Sequence, residues 1–240
     1  MSAIKSKSYR AISRTINVFD ALPNILLAEV YKKQIIRSIE FDKILKIVKK
    51  HSMDENFEDG RKYLNLNWYM RDNIARAIAL GLHKCEPKKV LDIGSGPGYF
   101  LLVCKYFNHH VTGLDLPDNK LYDDMFDELE INRIVRPVKP YESLLDSDSR
   151  YDLITAYAAT FCEHIPHKMN KKWGYGEWRF FLDDLGKNLN PNGKIFMRMN
   201  INNPRGLKAV NGYDIFQKPN NDFKCTIINR REVIIEFIKR

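Results

Sequence analysis

Three glycines alternate in Gly94-Ser95-Gly96-Pro97-Gly98, directly after the apolar run Val90-Leu91-Asp92-Ile93, and a carboxylate, Asp115, stands 21 residues beyond Gly94. Glycines between a strand and a helix permit a tight turn and let a ligand reach the backbone where a Cβ would collide. The amides that open the following helix favour a carboxylate or phosphate at the same spot. An acid at the tip of the next strand can accept hydrogen bonds from both hydroxyls of a ribose. Together these residues describe a nucleoside-containing cofactor lying over the carboxyl ends of parallel strands. A dinucleotide fingerprint would need G-x-G-x-x-G, but Tyr99 holds the position three after Gly96 and the third glycine comes at Gly98. A nicotinamide oxidoreductase is disfavoured on that ground.

The elements that must hold these residues alternate in type. Val90–Ile93, Val111–Leu116, Ile134–Val138, Tyr151–Ala156 and Lys194–Met199 read as strands. Between them, Tyr99–Phe107, Tyr122–Glu130 and Glu177–Leu189 read as helices, the last with Trp178, Phe181, Leu182, Leu185 and Leu189 inward and the turn Asn190-Pro191-Asn192-Gly193 behind it. Cys225–Ile228 and Val233–Ile238 around Asn229-Arg230-Arg231 read as a terminal hairpin. This order specifies an α/β fold with a parallel sheet and an antiparallel pair at its edge. Upstream, residues 23–51 read as one long helix or a helix pair, 54–60 as an acidic linker, and Trp68–Leu82 as a helix with Met70, Ile74, Ile78 and Leu82 on one face. The division expected is a helical basic extension over 1–60 and one α/β domain over 61–240.

The chain of 240 residues carries a net charge of +9, and the excess is lopsided. Residues 1–89 hold 18 Lys/Arg against 10 Asp/Glu, a balance of +8, whereas 90–240 hold 21 against 20, or +1. The positive part is therefore an arm that could attract an anionic substrate, an anionic lipid surface or a protein partner. The first nineteen residues are acid-free and lack the apolar core of a secretory signal, so they read as an arm or, alternatively, an organelle transit peptide. No stretch approaches the roughly 20 apolar residues of a membrane span. The cysteines at 85, 104, 162 and 225 lie far apart without a CxxC pair, which argues against structural zinc and a disulfide framework and points to a reducing compartment, the cytoplasm. No metal is expected.

The pattern Asp92-x-Gly94-x-Gly96-x-Gly98 resembles motif I of the class I, Rossmann-like S-adenosylmethionine-dependent methyltransferases. Asp115 matches that family's ribose-binding acid, Tyr151-Asp152-Leu153-Ile154 its fourth-strand motif, and Leu189-Asn190-Pro191-Asn192-Gly193-Lys194-Ile195 its turn into the fifth strand. The hairpin fits its reversed seventh strand. The resemblance, which covers residues 68–240, implies a seven-stranded mostly parallel sheet and S-adenosyl-L-methionine as cofactor. It implies that Gly94, Gly96 and Gly98 contact the methionyl part, that Asp92 orders the loop and that Asp115 holds the ribose, with Ser95 and Leu116 also at the cofactor. Where the family often has an acid for the adenine amine, this chain has Lys139-Pro140-Tyr141-Glu142-Ser143, so Glu142 or backbone groups near Tyr141 take that place. Arg71 is a candidate partner for the methionine carboxylate.

Methyl transfer is an in-line displacement, so the enzyme must align acceptor and donor and exclude water. For a hydroxyl acceptor a base belongs on the loop after the fourth strand: His164 first, since imidazole titrates near neutrality, then Glu163 and His167. Tyr157, Phe161, Trp173 and Tyr175 are candidates to line an aromatic acceptor pocket. The run Thr155-Ala156-Tyr157-Ala158 does not resemble the Asn/Asp-Pro-Pro-aromatic sequence of base amino-methylases, and Cys162 lacks the flanks of a base C5 nucleophile. A small-molecule or glycan hydroxyl is thus the expected acceptor. The alternatives are an RNA or protein methyltransferase that uses the basic arm, and a non-catalytic scaffold that keeps the cofactor pocket.

Overall fold

The computed structural model describes residues 26–38, 41–53, 63–117, 119–146, 148–157, 159, 161–163, 171–200, 207, 210–218 and 221–238. The chain divides into two compact units, Met1–Cys85 and Glu86–Arg240. In the first, helices α1 (26–38), α2 (Phe41–Ser52) and α3 (Leu66–Ala79) precede a 3₁₀ turn at Leu82–Lys84. The helix-pair form of the expected 23–51 element is the one adopted. Ala28, Ile35, Ile44 and Val48 are buried, as are Met70, Ile74, Ile78 and Leu82, the face that the 3.6-residue period marks on α3. Asn65 caps α3 by accepting from the Trp68 N–H.

The second unit is built on β1 (Lys89–Ile93), α4 (Tyr99–Tyr106), β2 (His110–Asp115), α5 (Lys120–Leu129), β3 (Asn132–Val135) and β4 (Tyr151–Tyr157). A two-residue ladder, β5 (Cys162–Glu163) with β6 (Lys171–Lys172), then leads to α6 (Tyr175–Lys187), β7 (Leu189–Arg198), α7 (Asp214–Gln217), β8 (Phe223–Ile227) and β9 (Glu232–Phe237). Seven strands form one sheet in the order β3-β2-β1-β4-β7-β9-β8. The first five are parallel, while β9 runs antiparallel to both β7 and β8. This is the Rossmann-like sheet expected, and the order reverses beside β1, where β2 lies on one side and β4 on the other. The crevice at the carboxyl ends of β1 and β4 is consequently the place where such sheets bind ligands.

Register decides which side chains share a face. Leu91 and Ile93 belong to a core with Ile154, Ile195, Trp178, Phe181, Leu182 and Leu185, so α6 covers that face. Asp92 pairs with Gly113 on one side and Thr155 on the other, all on the opposite face, where Phe126 of α5 and Leu101 of α4 close over Gly113. Two boundaries differ from expectation. β3 begins and ends early, at Asn132–Val135, although the Arg136 N–H still donates to the Asp115 carbonyl. The segment Asn190–Gly193 does not follow a free turn but forms an irregularity inside β7, with Asn192 at φ 66° and the Asn190 amide donating to Asp152 at 2.8 Å.

Candidate functional site

The glycine loop leaves β1 at the switch point and is stitched to the end of β2. The Leu114 carbonyl accepts from the N–H groups of Gly94 at 2.8 Å and Ser95 at 3.2 Å. Gly94, Gly96 and Gly98 have φ of 71°, 55° and 78°. At Gly94 a side chain would meet both that left-handed strain and the Ala159 Cβ, 3.3 Å from where a Cβ would stand. The loop therefore exposes bare backbone on a floor that no larger residue could form. Gly98 then caps α4, whose first turn accepts the Leu102 N–H on the Gly98 carbonyl at 2.9 Å.

Two carboxylates flank the loop in different ways. Asp92 is 2 % exposed, and the Thr155 hydroxyl of β4 donates to it across the strand pair. That anchor fixes the strand end from which the loop departs. Asp115 sits at the tip of β2, where Oδ2 accepts from the Gly96 N–H at 2.6 Å and Oδ1 from the Leu116 N–H at 2.8 Å. Each oxygen keeps a further lone pair for a ligand hydroxyl. Burial pushes the Asp115 carboxyl above the ordinary carboxylate range, against the pull of those two N–H groups and of the Arg133 charge, with Asp92 pushing the same way as burial.

The other sequence candidates fall in several places. Leu116 is 54 % exposed, an apolar surface next to the Asp115 carboxylate. Glu142 is exposed and ion-paired with Lys139 at 3.3 Å, on a loop tied to α6 by Asp184, which accepts from the Ser143 hydroxyl at 2.8 Å and the Leu144 N–H at 2.9 Å. Arg71 lies exposed on α3 in the first unit, where it helps Lys32 hold Glu29 below its ordinary range. His164 and His167 lie outside the described residues, and of Glu163 only the backbone, in β5, is described.

The aromatic acceptor pocket is corrected in part. Trp173 is 2 % exposed and packs with Phe161, Trp178 and Phe181 at ring separations of 5.1–5.3 Å, so the cluster is core. Tyr157 stays at the rim, its hydroxyl accepting from Arg198, while Tyr175 is exposed. Thr155, Asp184 and Arg133 have no role in the sequence reading; Thr155 alone stands as a single polar residue in an apolar run, Leu153-Ile154-Thr155-Ala156, while Asp184 and Arg133 have polar neighbours that mask them.

Strand order, reversed seventh strand, glycine loop and ribose-type acid define the class: a class I, S-adenosylmethionine-dependent methyltransferase. The profile of a family described as "Methyltransferase domain" matches residues 65–222, and the chain belongs to that family. No curated protein matches. Among solved structures, the chain is similar to the 1,6-didemethyltoxoflavin-N1-methyltransferase of Burkholderia thailandensis, with 18 % identity over 79 % of this chain and 85 % of that one (TM-score 0.47). It is also similar to the ribosomal protein L11 methylase of Lactobacillus delbrueckii subsp. bulgaricus, with 16 % identity over 71 % and 80 % (TM-score 0.41). A protein from Pyrococcus horikoshii OT3 gives 16 % identity over 70 % and 91 % (TM-score 0.48). Among the described residues no helix is long and apolar enough to cross a membrane, and no cluster of His, Cys, Asp or Glu is placed to hold a metal ion.

Proposed function

We propose that this methyltransferase methylates a hydroxyl of a small molecule or glycan. The observation that carries the cofactor side is the Asp115 carboxylate, held against the Gly96 N–H at the mouth of a three-glycine loop. The residues present fit S-adenosylmethionine: bare backbone at 94–98, a carboxylate with lone pairs to spare, and the exposed apolar face of Leu116 beside it. Bound there, that cofactor supplies a methyl group on a positively charged sulfur, which needs no further activation. Asp115 accepts the ribose hydroxyls, Leu116 covers the adenine edge, Glu142 accepts from the adenine amine, and the glycines with Ser95 leave room for the methionyl chain. His164 takes the acceptor's proton, with Glu163 and His167 next in order. The +1 balance of residues 90–240 favours a neutral acceptor over a polyanion. The family match beginning at residue 65 supports a catalytic domain over 61–240 and an extension over 1–60.

The test is incubation of cell extracts with isotope-labelled donor and enzyme, followed by mass spectrometry. A labelled ether product supports the reading, and labelled amine or protein alone refutes it. His164→Ala should lose most of its turnover while keeping cofactor affinity; full turnover would remove it as the base. A second reading rests on α2, which exposes Lys43, Lys46, Lys49 and Lys50. These would suit an RNA acceptor, and RNA affinity that falls steeply with added salt would favour it.

A further inference from the structure

We infer that Arg133 is a positioning residue for the cofactor's ribose, fixing the Leu116 peptide and with it the bearing of the Asp115 carboxylate. The inference rests on the assignment of Asp115 to the ribose. Arg133 lies on β3, in register with Gly113 and two positions before Val135, the partner of Asp115. Its side chain is 7 % exposed, an unusual depth for a guanidinium at a sheet edge. One terminal nitrogen donates to the Leu116 carbonyl at 2.6 Å, and the other forms an ion pair with Asp123 of α5. The guanidinium carbon also stands 5.7 Å and 5.5 Å from the ring centres of Tyr122 and Phe126. The cation is thus clamped between α5 and the turn that leaves β2. Leu116 is held at both polar ends, its N–H by Asp115 and its carbonyl by Arg133. The Arg133 hold is on the next peptide unit, so without it Leu116 could turn about its own backbone torsions and carry its N–H off Asp115.

The same cation acts on the carboxylate through space. The charged groups that act on Asp115 are Asp92 from β1 and Arg133 from β3; Asp123 of α5 pairs with Arg133, and Arg136 donates its N–H to the Asp115 carbonyl while its guanidinium turns to the Leu144 carbonyl at 2.9 Å. Burial and Asp92 favour the protonated acid, and Arg133 opposes them. Ribose hydroxyls donate to the ionised form, so affinity should fall as pH drops through the Asp115 titration. Removing Arg133 must move that acid limb to higher pH.

The experiment is calorimetric titration of the full chain with S-adenosylhomocysteine from about pH 4.5 to 8, the range in which carboxylates and histidines titrate. Arg133→Met should bind roughly tenfold more weakly at neutral pH and shift the limb to higher pH. Arg133→Lys keeps the charge and should leave the limb in place. Asp123→Asn releases the other end of the guanidinium clamp and should weaken binding in the same direction as Arg133→Met, by a smaller factor. Native affinity and an unmoved limb in Arg133→Met overturn the inference, as does an equal loss in the Met and Lys variants with no shift of either limb. If Arg133→Met does not fold, Arg133→Lys and Asp123→Asn decide: native affinity in both overturns it. Asp115→Ala separates the two readings, since unchanged affinity there refutes the ribose assignment itself. Weakened binding in Asp115→Ala beside an unaffected Arg133→Met refutes only the role of Arg133.

Discussion

Replacing Thr155 with valine keeps the shape of the side chain and deletes the hydroxyl that donates to Asp92. Both residues are closed to water, at 0 % and 2 % exposed, so solvent cannot replace the lost donor. A hydrogen bond to a charged acceptor contributes about 1.5–3 kcal/mol, and its loss here falls on a buried carboxylate. For a unit of this size each kcal/mol corresponds to roughly 2–4 °C in Tm, so Thr155→Val should melt roughly 3–12 °C below the native chain. Thr155→Ser retains the hydroxyl and loses one methyl, a cost of about 1 kcal/mol. Differential scanning calorimetry on the native, Val and Ser forms distinguishes the two effects. A double-mutant cycle with Asp92→Asn should show a coupling of about 1 kcal/mol or more. If Val melts with the native chain, or Ser is as damaged as Val, the anchor beneath the glycine loop does not exist as described.

Three further outcomes follow from other parts of the sheet. Gly113→Ala would place a Cβ 2.5 Å from the Phe126 ring and 2.9 Å from Leu101, so overpacking should cost about 1–3 kcal/mol in a denaturant titration. The raised Asp115 titration gives a sign for stability: the folded state binds the proton more tightly than the unfolded chain, so this group's contribution is present below the ordinary carboxylate range and is lost as pH rises through the folded value. Cofactor binding selects the ionised form, so titrations at mildly acidic pH in buffers of different ionisation enthalpy should reveal proton release, and none in Asp115→Ala. Asp184→Asn should weaken the tie between α6 and the loop carrying Glu142, seen as faster hydrogen exchange at residues 141–145 with little change elsewhere.

The sheet was legible because its strands are short, apolar and punctuated by glycine and proline, which is enough to order parallel strands and helices. The glycine loop was legible for a related reason: its three positive φ angles require the residue type that the sequence displays. What escaped the sequence were polar groups whose meaning depends on a neighbour distant along the chain. Thr155 matters because β4 pairs with β1, and Arg133 because β3 lies beside β2. Neither pairing is written in local spacing. Trp173 was misjudged as a pocket wall because a tryptophan near a loop reads the same whether it faces a ligand or, as here, three other rings. The irregularity at Asn190–Gly193 hid inside a turn-like sequence because Asn and Gly accept left-handed backbone in strands as well as in turns.

The most direct measurement is an isothermal titration of the chain with S-adenosylmethionine, run in parallel on Asp115→Ala and with a nicotinamide dinucleotide as the competing ligand. The native chain should release heat with S-adenosylmethionine at a stoichiometry of one, Asp115→Ala should bind about 10- to 100-fold more weakly, and the dinucleotide should give no signal. A flat S-adenosylmethionine titration beside a clear dinucleotide response would contradict the account at its centre.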